Sequence, residues 1–504
     1  MSAKPITIFG PDFPFPYDDW ISHTSGIGSI PAHLHGTEVA VIGAGVSGMV
    51  ASYELMKLGL KPVIYETGRM GGRLRTEHFE NATGVFAELG GMRFPKSGTT
   101  FNYYSTLLDL QKKPFPNPLT EAAQSTVIDL AGVKTYAEKT DDLPPIYLVL
   151  EWDDRTFYDF IATSPAFKKL SFRHREIFGQ VGFGTGGWDS DFRNSMLEIL
   201  RVVLTDCDVD QELIVSGAES LPRGLWNHNT GESVHWDDGI SLSTLHDGAT
   251  RPGVTKLKRT DLWMALDRTS YMQSSKTFVM VDSPFWKERD PLTGQYQMSM
   301  TLTDRLTRGT YLFDNGEDKP AVICLTYTWM ADALKMLPLP VERRVDLALA
   351  ALSKIYPDVD IKSHIIGKPI TISWEADPNF LGAFKGALPG HYRYNRRMYC
   401  HFMQQQMPAE QRGIFIAGDD VSWTPGWAPG ICLKRFSRWI LMSRLECRFS
   451  TMQERRRMDK RSTFTNICRT WQAVDAAGLS TLPHDLTATN RFTSTAAHSE
   501  LSPD

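Results

Sequence analysis

One stretch near the start of the chain carries a strong hydrophobic and polar pattern. Thr37–Gly43 (TEVAVIG) is a short apolar run that predicts a buried strand. Met49–Leu58 (MVASYELMKL) has helical spacing and is closed by Gly59. Lys61–Glu66 (KPVIYE) predicts a second strand ending in an acid. Gly43-Ala-Gly45-Val-Ser-Gly48 joins the first strand to the helix. Strand, glycine turn, helix and strand together span about 30 residues, the length of a βαβ dinucleotide-binding unit. Far downstream, Ile414–Asp420 (IFIAGDD) predicts another buried strand that ends in an acid.

Each part of the βαβ unit has a chemical job. Gly43 permits a tight turn out of the strand, Gly45 lets the backbone approach a pyrophosphate, and Gly48 lets the helix pack close to the sheet. The helix N-terminus offers free N–H groups and a partial positive charge to phosphates. Glu66 is placed to accept hydrogen bonds from ribose hydroxyls. The glycines alone would fit any glycine-rich turn; the full succession of elements makes the case for a dinucleotide.

Composition narrows the class. At 504 residues the chain has room for two or three domains. Apolar residues make up 42% and charged residues 22%, with a formal net charge of −4, as in a soluble globular protein. This balance points to no nucleic acid and no anionic membrane as partner. No apolar run reaches the length of a membrane-spanning helix, and Met1–Trp20 lacks the layout of a secretory signal. Six cysteines are scattered without a CxxC pair, so neither a disulfide framework nor a metal site is expected, and a cytoplasmic location is. A homo-oligomer is left open.

The segment after Glu66 decides between nicotinamide and flavin. Gly68–Thr76 (GRMGGRLRT) resembles the second fingerprint of the flavin amine oxidases, which implies FAD as cofactor and Arg73 on its phosphates. Ala87–Pro95 (AELGGMRFP) resembles the Gly-x-Met-Arg-x-Pro stretch of that family's amino-acid oxidase and 2-monooxygenase branch. It implies that Arg93 holds a substrate α-carboxylate, with Gly91 and Met92 beside the cofactor. Ser274–Val279 (SSKTFV) resembles the strand whose lysine, here Lys276, holds a water against the flavin. Ala321–Ala333 (AVICLTYTWMADA) places Tyr327 opposite Arg93, and Ile372–Glu375 (ISWE) places Trp374 beside the flavin ring. By the same resemblance Asp419 bonds the ribityl chain, and the backbone of Gly426 and Trp427 lines the amine end of the pocket. The plainer alternatives are a solvated basic loop around Arg73, an internal ion pair for Arg93 and a core role for Tyr327.

The resemblance runs from about Phe9 to Gly430 and implies an α/β fold. A discontinuous Rossmann-type FAD-binding domain (36–100, 195–262, 408–445) would carry a mixed-sheet substrate domain (270–405) and a helical insertion (101–194). From Trp263 to Pro429 the chain is most similar to the L-lysine 2-monooxygenase subgroup. This implies oxidative decarboxylation of L-lysine with O2 to 5-aminopentanamide, CO2 and water. An ε-ammonium needs a carboxylate or carbonyl partner, for which Asp189, Asp237, Asp238 and Asp304 are candidates. There are two departures. Residues 253–260 run past strands that the relatives have in the FAD domain, and 431–504 turn basic and then Ser/Thr-rich, with a disordered tail expected from about 450. An L-amino-acid oxidase releasing a 2-oxo acid, ammonia and H2O2, and a flavin-free remnant, stay open as alternatives.

Overall fold

The computed structural model describes residues 29–116, 126–130, 133–136, 154–164, 169–172, 193–204, 210–228, 242–244, 260–289, 296–316, 319–391 and 413–422, and isolated positions such as Gly426. Ten strands of the described residues form the two sheets that frame the site: β1 (Glu38–Ile42), β2 (Lys61–Glu66), β3 (Thr126–Leu130), β4 (Val133–Tyr136), β5 (Leu242–Thr244), β6 (Ser274–Val281), β7 (Met300–Thr303), β8 (Gly309–Phe313), β9 (Ala321–Trp329) and β10 (Ile365–Ser373). No helix among the described residues is long and apolar enough to cross a membrane.

The first sheet has the order β1-β2-β5, all parallel. The β1–β2 connection is the helix Val46–Lys57, so this is the βαβ unit read from the pattern. The helix buries Met49, Val50, Ala51, Leu55 and Met56 completely. Glu54 is also buried, and its carboxylate is satisfied by Lys57 at 2.9 Å and the Tyr104 hydroxyl at 2.8 Å. β1 is less buried than its composition predicts. Val41 is enclosed, whereas Ile42 is 69% exposed because it faces the cavity described below.

The second sheet has the order β10-β6-β9-β8-β7-β3-β4 and is mixed, with β7 and β3 parallel. Alternation along β6 sends Lys276, Phe278 and Met280 to one face and Val279 and Val281 to the other. On β9 the alternation breaks. Val322 and Cys324 face the same core as Tyr327 and Trp329, while Ile323 and Leu325 face the opposite one. The pairing skips Leu325, since Thr277 opposes Thr326 and Phe278 opposes Cys324. This bulge changes the parity of the strand and turns Tyr327 to the face of Lys276.

Two expectations are corrected. The stretch 101–194, read as a helical insertion, contributes β3 and β4 to the mixed sheet, alongside the helices Thr99–Leu107 and Phe157–Thr163. Pairing with β7 gives β3 a ladder partner that no local pattern reveals. Ile414–Asp420, read as a buried strand, is half-buried irregular backbone followed by a short 3-10 turn at Asp419–Val421. The junction at 253–259, where strands are expected to be lacking, and the tail from 450 lie outside the described residues.

Candidate functional site

A single cavity of about 480 Å³ runs from the glycine turn after β1 to the buried ends of β6 and β9. At the turn, Gly43 has φ +99° and its N–H bonds Tyr65 O at 2.7 Å. A side chain on Gly48 would place its Cβ 2.0 Å from Gly43 O, so only glycine lets the helix start there. No side chain caps the helix at Gly45, and its first N–H groups are therefore left to the cavity. A Cβ on Gly45 would meet only Gly72 Cα, at 3.9 Å, and would stand in the open cradle. Glu66 accepts hydrogen bonds from Ala44 N at 2.7 Å and Gly68 N at 2.8 Å, which ties the end of β2 to both glycine loops.

Further along the cavity, Arg73 donates to Ala383 O at 3.2 Å and to Asp419 Oδ2 at 3.4 Å. Burial alone would lower Arg73, but Asp420, Asp419 and Tyr271 outweigh it and hold the guanidinium above its ordinary pKa. Asp419 is buried and also accepts from Lys385 N at 2.9 Å and Gly426 N at 2.5 Å. Tyr271 donates a short hydrogen bond to Asp420, and Lys385 Nζ reaches Asp420 O at 2.9 Å. This polar knot joins segments that the sequence keeps far apart.

At the inner end, Lys276 and Tyr327 are direct cross-strand neighbours on β6 and β9, with the ammonium 4.9 Å from the ring centre. Lys276 Nζ donates to Glu88 O at 3.1 Å and Gly90 O at 2.6 Å. Burial pushes it down to about 8, helped by Arg93 and opposed by Cys324 and Glu88. The Arg93 guanidinium lies 5.8 Å from the Tyr327 ring centre. Burial raises the Tyr327 hydroxyl, and Arg93 pulls it back. Trp374 is buried, with Nε1 bonded to Leu89 O at 2.9 Å, so its ring is fixed against the segment that carries Gly91 and Met92. Burial pushes the Glu88 carboxyl up to about 8, although Ala218 N and Thr76 Oγ1 bond it at 2.7 and 3.1 Å.

Every expected site residue that the structure describes lines this one cavity: Gly43, Gly45, Gly48, Glu66, Arg73, Gly91, Met92, Arg93, Lys276, Tyr327, Trp374, Asp419 and Gly426. Trp427, Asp189, Asp237 and Asp238 lie outside the described residues. Asp304 is corrected as a candidate partner for an ε-ammonium. It is exposed in the β7–β8 turn and does not line the cavity. The sequence reading missed Tyr271, Trp329, Phe384, Lys385 and Asp420, all of which do. Trp329 stands within the stretch Ala321–Ala333, but no local pattern distinguishes it or Tyr271 from core aromatics. The open glycine cradle, the uncapped helix and Arg73 further along one cavity fit a dinucleotide with a flavin at the Trp374 end.

Comparison with known proteins agrees with this geometry. The family model for flavin-containing amine oxidoreductases matches residues 46–151 and 239–430. The chain is 28% identical to the tryptophan 2-monooxygenase of Pantoea agglomerans pv. gypsophilae, over 80% of this chain and 88% of that one. It is also 28% identical to the tryptophan 2-monooxygenase of Pseudomonas savastanoi, over 81% and 89%. Among solved structures, cyclohexylamine oxidase from Brevibacterium oxydans IH-35A superimposes with a TM-score of 0.55, at 16% identity, over 80% of this chain and 97% of that one. The last likeness concerns the fold alone.

Proposed function

The chain belongs to the flavin-containing amine oxidoreductase family with FAD as its cofactor, and from that premise we propose that it oxidatively decarboxylates an L-amino acid, L-lysine first of all. The overall change would be L-lysine + O2 → 5-aminopentanamide + CO2 + H2O. The observation that carries this is the placement of Arg93 beside Tyr327 at the inner end of the cavity. A guanidinium and a phenol on one wall match a carboxylate, which a simple amine would not supply. A fixed carboxylate also fixes the Cα–H of the substrate, and orientation of this kind removes much of the entropic barrier.

FAD, when bound, supplies the two-electron acceptor that O2 re-oxidises. The protein's own groups do the rest. Arg73, the uncapped helix and the open face at Gly45 would hold the phosphates, and Asp419 the ribityl hydroxyls. Trp374, pinned through Leu89, would form one wall beside the flavin ring. Lys276, lowered to about 8 by burial, can change protonation near neutral pH and so move a proton or order a water. What supports lysine as the substrate is the resemblance of the stretch from Trp263 to Pro429 to the L-lysine 2-monooxygenase subgroup.

The test is to incubate purified protein separately with L-lysine, L-tryptophan and L-phenylalanine and measure oxygen uptake, peroxide, CO2 and amide. Amide and CO2 from lysine are expected. Peroxide with a 2-oxo acid would place the enzyme among the oxidases instead, and turnover of an aromatic amino acid alone would overturn the lysine assignment.

A further inference from the structure

The helix Met196–Leu204 (MLEILRVVL) is apolar except at two positions, and one of them, Glu198, is turned to the cavity. Met196, Ile199 and Leu200 around it are buried against Phe157, Phe160 and Ile161, and Leu197 is buried as well. Glu198 itself is 6% exposed. A carboxylate at such a place carries a large desolvation cost, which a cation facing it offsets. Asn194, one turn earlier, lines the same wall and is also 6% exposed, with its Nδ2 4.0 Å from Met272 Sδ. Ile199 and Val202 complete the lining from this helix. The wall therefore offers apolar contact beside a carboxylate and an amide.

Its position relative to the carboxylate end follows from ring contacts. Tyr327 packs against Trp329 at 5.5 Å, and Trp329 against Phe384 at 5.0 Å. Phe384 pairs in register with Met272, which Asn194 touches. Arg93 and Glu198 thus line one cavity and are linked through this run of aromatic and Met272 contacts, a guanidinium and a carboxylate on the same lining. A zwitterion with an apolar stem and a terminal cation matches both groups at once.

Resting on the amino-acid reading above, we infer that Glu198 is the specificity residue of this site, receiving the terminal cation of the substrate side chain while Ile199 and Val202 pack its methylene stem. It acts on binding and not on the bond-breaking step, so its loss appears mainly in KM.

The test compares L-lysine with L-norleucine, which keeps the stem and lacks the ammonium, in the wild type, Glu198→Gln and Glu198→Asp holoenzymes. Bound-flavin absorbance confirms that each variant is folded. Glu198→Gln is expected to lower kcat/KM for lysine by roughly 30–100-fold, the loss of one charge-assisted contact, and to change norleucine by less than about 3-fold. Glu198→Asp recovers part of the lysine activity. A parallel fall for both substrates would overturn the inference and make Glu198 structural. A wild type that prefers norleucine or L-phenylalanine to lysine would overturn it too, while leaving amino-acid oxidation standing. A wild type that turns over no amino acid would remove the underlying reading with it.

Discussion

Lys276 carries its ammonium on two main-chain carbonyls inside the protein, and burial pushes it down to about 8. If the charged form assists turnover, oxygen uptake at saturating substrate falls as pH rises through about 8. Lys276→Met is expected to turn over more slowly, by about 10²-fold or more, and to lack that limb; pH–rate profiles of both proteins check it. Arg93→Met should cost on the order of 2–4 kcal/mol in kcat/KM through the lost charge-assisted contact, with flavin content unchanged. A variant that oxidises lysine normally would remove the carboxylate role. Glu88 allows a stability test. In the folded chain it keeps its proton to about 8, whereas the ordinary carboxyl value is 4.5. Between these values the folded state binds more protons, so rising pH costs stability. Glu88→Gln should flatten that decline by on the order of 1–3 kcal/mol, read as the change in urea midpoint between pH 5 and 8 relative to wild type.

At the scale of elements, the glycine turn and helix after β1 were legible because each residue there answers a local geometric demand. Gly48→Ala tests that demand. Its Cβ would sit 2.0 Å from Gly43 O, so the helix start must move. The expected result is a loss of about 1–3 kcal/mol in denaturant stability together with reduced flavin per chain. Full flavin content at unchanged stability would contradict the packing role. The second sheet was far less legible. Strict alternation along β9 puts Tyr327 on the side of Ile323 and Leu325, and only the bulge at Leu325 brings it round to Lys276. A bulge leaves no mark in the polar pattern, so Tyr327 entered through family resemblance alone. β3 and β4 were missed for a related reason, since they join the sheet only through the pairing of β3 with β7, which is distant in sequence. Glu198 did leave a mark, an acid within an apolar helical stripe, which is the pattern of a polar group with a partner inside the fold.

At the scale of the whole molecule, one cavity gathers residues from both ends of the chain. Arg73 and Asp419 bond across 346 positions, and Trp374 reaches Leu89 across 285. Periodicity reports neighbours along a strand or helix and carries no information on such closures. The first βαβ unit could therefore be derived from pattern, while the complete site could not. The charge arrangement is equally a whole-molecule property, since the net charge of −4 says nothing of the cations and acids that line the cavity. Heat denaturation of the purified protein is expected to release FAD and no nicotinamide. The most direct measurement of the central claim is anaerobic mixing of the purified protein with L-lysine, followed by visible absorbance. The account predicts a yellow protein whose flavin bands near 450 nm bleach on mixing and return when air is admitted, roughly as any two-electron flavin substrate requires. A colourless protein, or flavin bands unchanged by lysine and every other amino acid tried, would contradict it.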